Sequence, residues 1–261
     1  MKHRPTPKII LILSAIAVLA IIAVVFLSHH PKVVSTAVVP ENTPLPAPAE
    51  WPSTKVSDKK ITETGSYYSI NATYPVTKND VITGYFSSFV QDSITEFKSD
   101  TSWAAGSGAN SEAAAEDGLL SLNVTYTEQK NANADNYIFS VDENSGGAHD
   151  LVSTKTFSFS ATGQLITISS LFTNGDDGLK TIAPYVAAQL ATAADADSSM
   201  IAQGTAPTDD NYQNFTVAPD GVTFIFDPYE VGPYSDGQQT VKVPVSAFAS
   251  IASTDLFSSA Q

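Results

Sequence analysis

The order of apolar and polar positions predicts a membrane-spanning helix near the N-terminus. From Ile9 to Leu27 every residue except Ser14 is apolar, a run of 19 positions. With about 1.5 Å of helical rise per residue, such a run matches the thickness of a bilayer's hydrocarbon core. Basic residues precede the run, and no acidic residue follows it before Glu41. The positive-inside rule therefore predicts a cytoplasmic stub over 1–8, a transmembrane helix over 9–27, and an extracytoplasmic location for everything that follows.

A cleaved secretory signal is the alternative interpretation of the same run. Signal peptides usually have an apolar core of about 7 to 15 residues, and no small-x-small cleavage site precedes His29. An uncleaved anchor is therefore favoured. The next segment, 28–57, contains six prolines among Ala, Val, Thr and Ser, which predicts a semi-rigid spacer (Pro31, Pro40, Pro44, Pro46, Pro48 and Pro52).

Strand and helix periods alternate after the spacer. Apolar residues alternate with polar ones from Tyr68 to Tyr74, which predicts a strand that ends at Pro75. After Asn79 as a candidate N-cap, apolar residues recur at three and four positions as far as Phe97, which predicts an amphipathic helix. A second helix is predicted over about 176–193, with a kink or a late start at Pro184.

The remaining apolar stretches predict hairpins. Strands are predicted over 120–126, 137–141, 151–159, 165–168, 215–217, 222–226 and 240–245, joined mostly by short turns. The segments 101–117 and 195–211 predict loops, and a short helix is predicted after Ser246. The fold class is therefore α+β, with antiparallel hairpins packed by two main helices. We place an N-terminal part of the ectodomain at 58–142 and a C-terminal domain at 143–261.

Composition excludes several classes of function. The chain has 13 Lys and Arg against 27 Asp and Glu, a net charge of −14, and no cysteine. Disulfides, thiol nucleophiles and Cys-ligated metals are therefore excluded. Nucleic-acid binding is not expected, because the only arginine is Arg4. His149 is the only histidine after residue 30, so a His-rich zinc site cannot form. We expect neither a metal nor a cofactor.

One segment combines residues that restrict the backbone with aromatic and acidic side chains. Residues 226–237 (FDPYEVGPYSDG) contain two prolines, two glycines, two tyrosines and three acidic residues directly after a predicted strand. Such a loop suits a recognition surface. The predicted binding residues are His149, Tyr229, Glu230, Tyr234 and Asp236. A structural connector is the alternative for the loop, and His149 and Glu230 are the candidate acid or base if the protein is instead a hydrolase.

Several motifs, in this order, resemble a known family. They are Ser145 to His149 (SGGAH), Phe157 to Phe172, Asp227 to Gly237 and Val241 to Phe248. They resemble the extracytoplasmic domain of RsiV-type lysozyme-sensing anti-sigma factors, a domain of unknown function that also precedes the catalytic domain of PdaC-type peptidoglycan deacetylases. Residues 67–97 are similar to the companion domain before it. Asp150 departs from the family, which usually has proline there.

The resemblance implies a wall-facing sensor or binding domain. Only eight residues precede the apolar run and no deacetylase-type catalytic domain is recognisable, so we expect neither sigma-factor inhibition nor deacetylation. We expect a membrane-anchored module that recognises a cell-wall component or a cationic wall-active protein such as lysozyme. An envelope hydrolase acting on peptidoglycan and a purely structural envelope protein are the alternatives.

Overall fold

The computed structural model describes residues 50–106, 120–173, 175–193 and 196–257. The predicted stub, transmembrane helix and most of the spacer (1–8, 9–27 and 28–57) lie outside these residues. Within the described ranges, no helix is long and apolar enough to cross a membrane. The described residues all belong to one compact unit, 49–261, which contains the strands and helices predicted for an α+β fold.

A five-stranded sheet forms the first half of this unit, in the spatial order β1-β2-β3-β4-β5. Its strands are β1 (Lys55–Thr64), β2 (Tyr68–Thr77), β3 (Leu120–Lys130), β4 (Asp135–Asn144) and β5 (Leu151–Phe159). Helix α1 (Asp80–Asp100) connects β2 to β3, and a short helix α2 (Trp103–Gly106) follows it. Because a helix and not a turn joins them, β2 and β3 pair in parallel. The sheet is therefore mixed, and the prediction of purely antiparallel pairing was wrong at this step.

Helix α1 packs its apolar side on the five-stranded sheet, as the 3.6-residue period predicts. The Asn79 side chain caps the helix by accepting a hydrogen bond from the N–H of Val81 at 2.9 Å. Phe86 is fully buried and lies 4.7 Å from Tyr137 and 5.5 Å from Phe139 between ring centroids. Aromatic pairs at such distances add to the stability that burial itself provides.

A three-stranded antiparallel sheet, β6-β7-β8, forms the second half. Its strands are β6 (Phe215–Ala218), β7 (Gly221–Phe226) and β8 (Gln239–Pro244), and its helices are α3 (Gly178–Leu190), α4 (Ser198–Gly204) and α5 (Thr254–Phe257). Leu179, Ile182 and Val186 of α3 are at most 1% exposed and belong to the same apolar core as Phe224 of β7. The second core is thus separate from the one beneath α1.

Buried polar side chains join the two sheets in a seam formed by Asn136, Thr156, Ser158 and Asn214. The Asn136 carboxamide accepts from Val217 N–H at 2.9 Å and donates to Val217 O at 3.0 Å. Thr156 N–H donates to the Asn214 side chain at 3.2 Å, and Phe215 N–H donates to the Thr156 hydroxyl at 2.9 Å. Side chains therefore form hydrogen bonds along the outer edge of β5, where the backbone of a sixth strand would otherwise pair.

The structure corrects several boundaries. β1 begins inside the predicted spacer, and its mostly exposed, polar sequence gave no strand period. Position 142/143 does not separate the two sheets, because β5 pairs with β4. Pro75 lies within β2, where it is tolerated because the pairing of β2 with β3 stops at Ala72.

Two local predictions in the second half were also wrong. The predicted strand 165–168 is reduced to one bridge at Leu165, and a 3₁₀ turn begins at Ile168 after a Thr167–Ser170 capping box. The predicted loop 195–211 contains α4, because the Asp197 carboxylate accepts from the first helical N–H groups.

Candidate binding site

Two loops bring three of the predicted site residues together. His149 lies in the β4–β5 loop, while Tyr229 and Tyr234 lie in the β7–β8 loop. The His149 and Tyr234 rings are stacked, with centroids 3.9 Å apart and planes at 24°. Tyr229 lies 5.6 Å from Tyr234 and 6.4 Å from His149. We call these three rings the aromatic cluster.

Hydrogen bonds fix the orientation of the cluster. His149 Nδ1 lies 3.0 Å from the carbonyl oxygen of Asp150, and His149 Nε2 lies 3.3 Å from the Tyr229 hydroxyl. Because a carbonyl can only accept, Nδ1 holds the proton and Nε2 accepts from Tyr229. The Tyr234 hydroxyl donates to the same Asp150 carbonyl at 3.1 Å. The backbone at position 150 therefore aligns two of the three rings.

Tyr229 is held in an unfavourable backbone conformation. Its φ is 74°, and it is the one non-glycine residue with positive φ among the described residues. Its N–H donates to Gly232 O at 3.1 Å, which closes the turn. Its side chain is 51% exposed. A large aromatic side chain at such a position costs about 1 to 2 kcal/mol, and local strain of this kind is concentrated at functional sites.

Asp227 fastens the tyrosine loop to the first sheet. Its carboxylate accepts from Thr154 N–H at 2.6 Å and from the Thr154 hydroxyl at 2.7 Å. Gln238 Nε2 donates to the same carboxylate at 3.2 Å and to the Thr154 hydroxyl at 2.7 Å. The two loops are thus positioned by a charged clamp across β5. Thr154 and Gln238 could not be predicted from the sequence, because their role depends on tertiary contacts that no local pattern encodes.

Glu230 does not join the aromatic cluster. Its Oε2 accepts from the N–H of Asp227 at 2.8 Å, so the carboxyl stabilises its own turn. Burial raises the pKa of this carboxyl above its ordinary value, although the Asp227 N–H works in the opposite direction. The structure therefore separates Glu230, predicted as a binding residue and candidate acid, from the rings that it brings together.

Asp236 is also separate from the rings. It is exposed, accepts from the Ser235 hydroxyl at 3.3 Å, and lines a shallow cavity of about 280 Å³ together with Ile201 and Val231. The predicted set of five thus divides into a cluster of three and two carboxylates with other surroundings. Among the described residues, no group of three His, Cys, Asp or Glu side chains is placed to hold a metal ion.

Two exposed apolar side chains lie around the β4–β5 loop, and the sequence assigned neither of them to the site. Trp103 is 56% exposed, and its ring lies 3.1 Å from the position of a Cβ built on Gly146. Leu151, at the start of β5, is 49% exposed. The Gly146 contact requires a residue without a side chain at φ 87°. The SGGAH turn thus places Trp103 against the loop that presents His149.

Comparisons with known proteins agree with this fold. Residues 169–246 match a family model described as "Protein of unknown function (DUF3298)", which includes both tyrosines of the cluster but not His149. A crystal structure of a DUF3298 family member from Bacteroides fragilis NCTC 9343 superposes with a TM-score of 0.55 at 19% identity. The match covers 78% of this chain and 95% of that one, which shows a shared fold.

Two curated relatives match parts of the sequence. The chain is 25% identical over 190 residues to the peptidoglycan-N-acetylmuramic acid deacetylase PdaC of Bacillus subtilis (strain 168), covering 70% of this chain and 38% of PdaC. It is 35% identical over 115 residues to immunogenic protein MPT64 of Mycobacterium tuberculosis (strain H37Rv), covering 44% of this chain and 50% of MPT64. The chain thus spans half or less of these relatives. Together the matches support a domain of the DUF3298/PdaC type, while the finer RsiV-type assignment stays a prediction.

Proposed function

We propose that the folded unit is an extracytoplasmic binding module of the bacterial cell envelope, anchored by residues 9–27, and that its aromatic cluster recognises the glycan of peptidoglycan. The observation that supports this most is the exposed Tyr229 ring, held at positive φ beside the stacked His149 and Tyr234. The C–H groups on the face of a pyranose ring are weakly positive, and they stack on the negative face of an aromatic ring. The similarity to PdaC, a peptidoglycan deacetylase by name, favours the same ligand.

The geometry of the cluster suits binding better than turnover. His149 hydrogen bonds to a backbone carbonyl and to a tyrosine hydroxyl, which orient its ring. Rigid aromatic side chains present a large contact area with little loss of conformational entropy on binding. The Tyr229 hydroxyl donates its proton to His149, and its oxygen can still accept a hydrogen bond from a saccharide hydroxyl beside the rings.

Calorimetry with the full chain in detergent tests this proposal. Soluble muropeptides should bind, and Tyr229→Ala or Tyr234→Ala should weaken binding by tenfold or more, because hot-spot aromatics contribute about 1.4 kcal/mol or more each. Leu165→Ala is the matched control, since this partly buried residue lies outside the cluster. No muropeptide binding, or equal binding by the tyrosine variants, would contradict the proposal.

A cationic wall-active protein such as lysozyme is the competing ligand. Residues 33–261 contain 9 Lys against 27 Asp and Glu, a net charge of −18, which attracts a basic protein by long-range electrostatics. Such binding should weaken steeply with added salt, whereas stacking on a neutral sugar should not. A salt titration with lysozyme beside muropeptides therefore separates the two ligands.

An envelope hydrolase is the second candidate function, and one observation favours it. Burial raises the pKa of Glu230, as general acids require. A hydrolase would release reducing sugars from purified peptidoglycan, and Glu230→Gln would abolish that release while the circular dichroism spectrum stays unchanged. Under the binding proposal, neither the protein nor the variant releases sugar.

A further inference from the structure

Residues Trp51 to Thr54 lead into β1, and hydrogen bonds hold them against the end of β3 and the start of β4. Ser53 is fully buried, and its hydroxyl donates to Asp135 Oδ2 at 2.8 Å. The Tyr137 hydroxyl donates to the Ser53 carbonyl at 2.6 Å. Through Ser53, this segment outside any strand or helix is hydrogen bonded to two buried side chains of β4, Asp135 and Tyr137.

Lys130 of β3 holds the same segment from the other strand. Its ammonium donates to the Thr54 hydroxyl at 3.0 Å and lies 4.8 Å from the centre of the Trp51 ring. It also forms an ion pair with Asp135 Oδ2 at 3.5 Å. The Lys130 ammonium thus makes a cation–π contact with Trp51, and its ion pair with Asp135 helps to hold it in that position.

Asp135 has one oxygen without a donor. Its side chain is fully buried, and Ser53 and Lys130 both contact Oδ2. Oδ1 is the one buried side-chain polar atom of the described residues without a hydrogen-bond partner. A buried acceptor left unpaired costs about 1 to 3 kcal/mol. Such an atom needs a donor from a neighbouring group.

The neighbouring group is a second carboxyl. Glu128 precedes Lys130 by two positions on β3 and pairs across the ladder with Tyr137, while Lys130 pairs with Asp135. Glu128 and Asp135 are therefore diagonal neighbours on one face of the β3–β4 pair, a spacing that long side chains can bridge. Glu128 can donate to an Asp135 oxygen only when it is protonated, because an ionised carboxylate can only accept and would also repel Asp135. Glu128 lies at an exposed position of β3. Partial burial of its carboxyl and the nearby Asp135 raise its pKa, while Tyr137 and Lys130 oppose the shift. The Trp51 to Thr54 segment itself contributes no titratable side chain.

We infer that residues 51–54 form a proton-controlled latch, closed over Asp135 when Glu128 donates its proton to Oδ1 and opened when Glu128 is ionised. Ionisation leaves Oδ1 without a donor and places a like charge beside Asp135. Asp135 relieves both effects by turning toward water, which breaks its bond to Ser53. This latch is independent of the aromatic cluster, and it would tie the attachment of the entering chain to the pH outside the cell.

The direction of the pH dependence follows from the sign of the shift. The pKa of Glu128 is raised above its ordinary 4.5, so the folded, latched state binds more protons than the open one above that pH. The latch is therefore closed at pH 4.5 and opens as the pH rises through the pKa of the folded protein.

Fluorescence of Trp51 in the full chain tests this inference. The chain has two tryptophans, so Trp103→Phe, at an exposed position, leaves Trp51 as the only reporter. Between pH 4.5 and about pH 8, emission should shift to longer wavelength in one transition as the ring leaves Lys130. Adding Glu128→Gln should abolish the transition and keep the low-pH spectrum throughout, because the amide donates to Oδ1 at every pH.

Glu96→Gln is the matched control for the latch. Glu96 lies on α1 and also has a raised pKa through burial, but it does not contact the latch. The transition should persist in this variant with an unchanged midpoint. A pH-independent spectrum in the parent protein, or a transition in Glu128→Gln with the parent midpoint, would overturn the inference.

Discussion

The seam and the aromatic cluster both connect the first sheet to the second, yet they place their side chains in opposite environments. In the seam, Asn136, Ser158 and Asn214 are at most 5% exposed, and hydrogen bonds satisfy their side chains. In the cluster, Tyr229 is half exposed and its backbone is strained. Side chains that only position the sheets should be buried and relaxed, whereas those that contact a partner can be exposed and strained.

This difference assigns separate roles to the two regions. The seam determines where β6 to β8 lie against β5, and the Asp227 clamp extends that fixation to the tyrosine loop. The cluster then presents rings whose mutual geometry the fold has already set. Damage to the seam should therefore reduce stability first, and damage to the cluster should reduce binding first.

Breaking the seam should have the largest effect. Asn136→Ala removes hydrogen bonds to Val217 N–H, Val217 O, Gln129 O and the Ser158 hydroxyl. With several partners left buried, we expect the free energy of unfolding to fall by about 3 to 5 kcal/mol. Urea denaturation of the full chain measures this. Asn71→Ala, at an exposed position of β2, is the control and should change stability by about 0.5 kcal/mol or less.

Removing the clamp should affect both regions. Asp227→Ala deletes the acceptor of both Thr154 donors and of Gln238. We expect a loss of about 2 to 3 kcal/mol of stability together with loss of muropeptide binding, although Asp227 is not one of the stacked rings. Asp220→Ala removes an exposed ion pair with Lys242 and serves as the control. Because an exposed ion pair contributes little to stability, this variant should unfold like the parent and leave binding unchanged. Undiminished binding by Asp227→Ala would show that the clamp does not position the rings.

Substituting Tyr229 separates strain from recognition. Glycine relieves the positive φ and alanine retains it, so Tyr229→Gly should be about 1 kcal/mol more stable than Tyr229→Ala. This reverses the usual order of the two residues within regular structure. Both variants should lose ligand affinity equally, because both lack the ring. A more stable alanine variant, measured by thermal unfolding, would mean that position 229 is not strained.

The pH dependence of Glu230 should give the smallest effect. Its raised pKa means that the folded state binds more protons than the unfolded state above pH 4.5. Stability from this carboxyl therefore falls as the pH rises from 4.5 through the pKa of the folded protein. Glu230→Gln should remove that slope, so the variant gains stability relative to the parent as the pH rises. Parallel stability curves across this range would contradict the assignment.

The sequence predicted the elements with strong periodicity and missed those defined by tertiary contacts. Helix α1 and the β6–β7 hairpin follow directly from apolar spacing. β1 escaped prediction because an exposed edge strand needs no apolar face. The parallel pairing of β2 with β3 depends on where α1 returns the chain, which local turn chemistry does not encode.

The candidate site was predicted in the same uneven way. Prolines, glycines and tyrosines identified the loop after β7, and His149 was singled out as the lone histidine of the ectodomain. Residue type alone could not show that Glu230 turns toward the backbone of Asp227 while Tyr229 turns outward. The acidic side chains of the loop looked alike in sequence, and only their hydrogen bonds distinguish them.

Mapping the ligand on the folded protein by NMR tests the central claim most directly. On titration of the full chain with a soluble muropeptide, backbone amide shifts should change at residues 145–151 and 227–238 and little elsewhere. The groove of about 480 Å³ lined by Asn133, Gln164 and Asp255 lies in a different part of the fold, and it provides the internal comparison. Shift changes centred on that groove, with none around His149, Tyr229 and Tyr234, would contradict the aromatic cluster as the binding site.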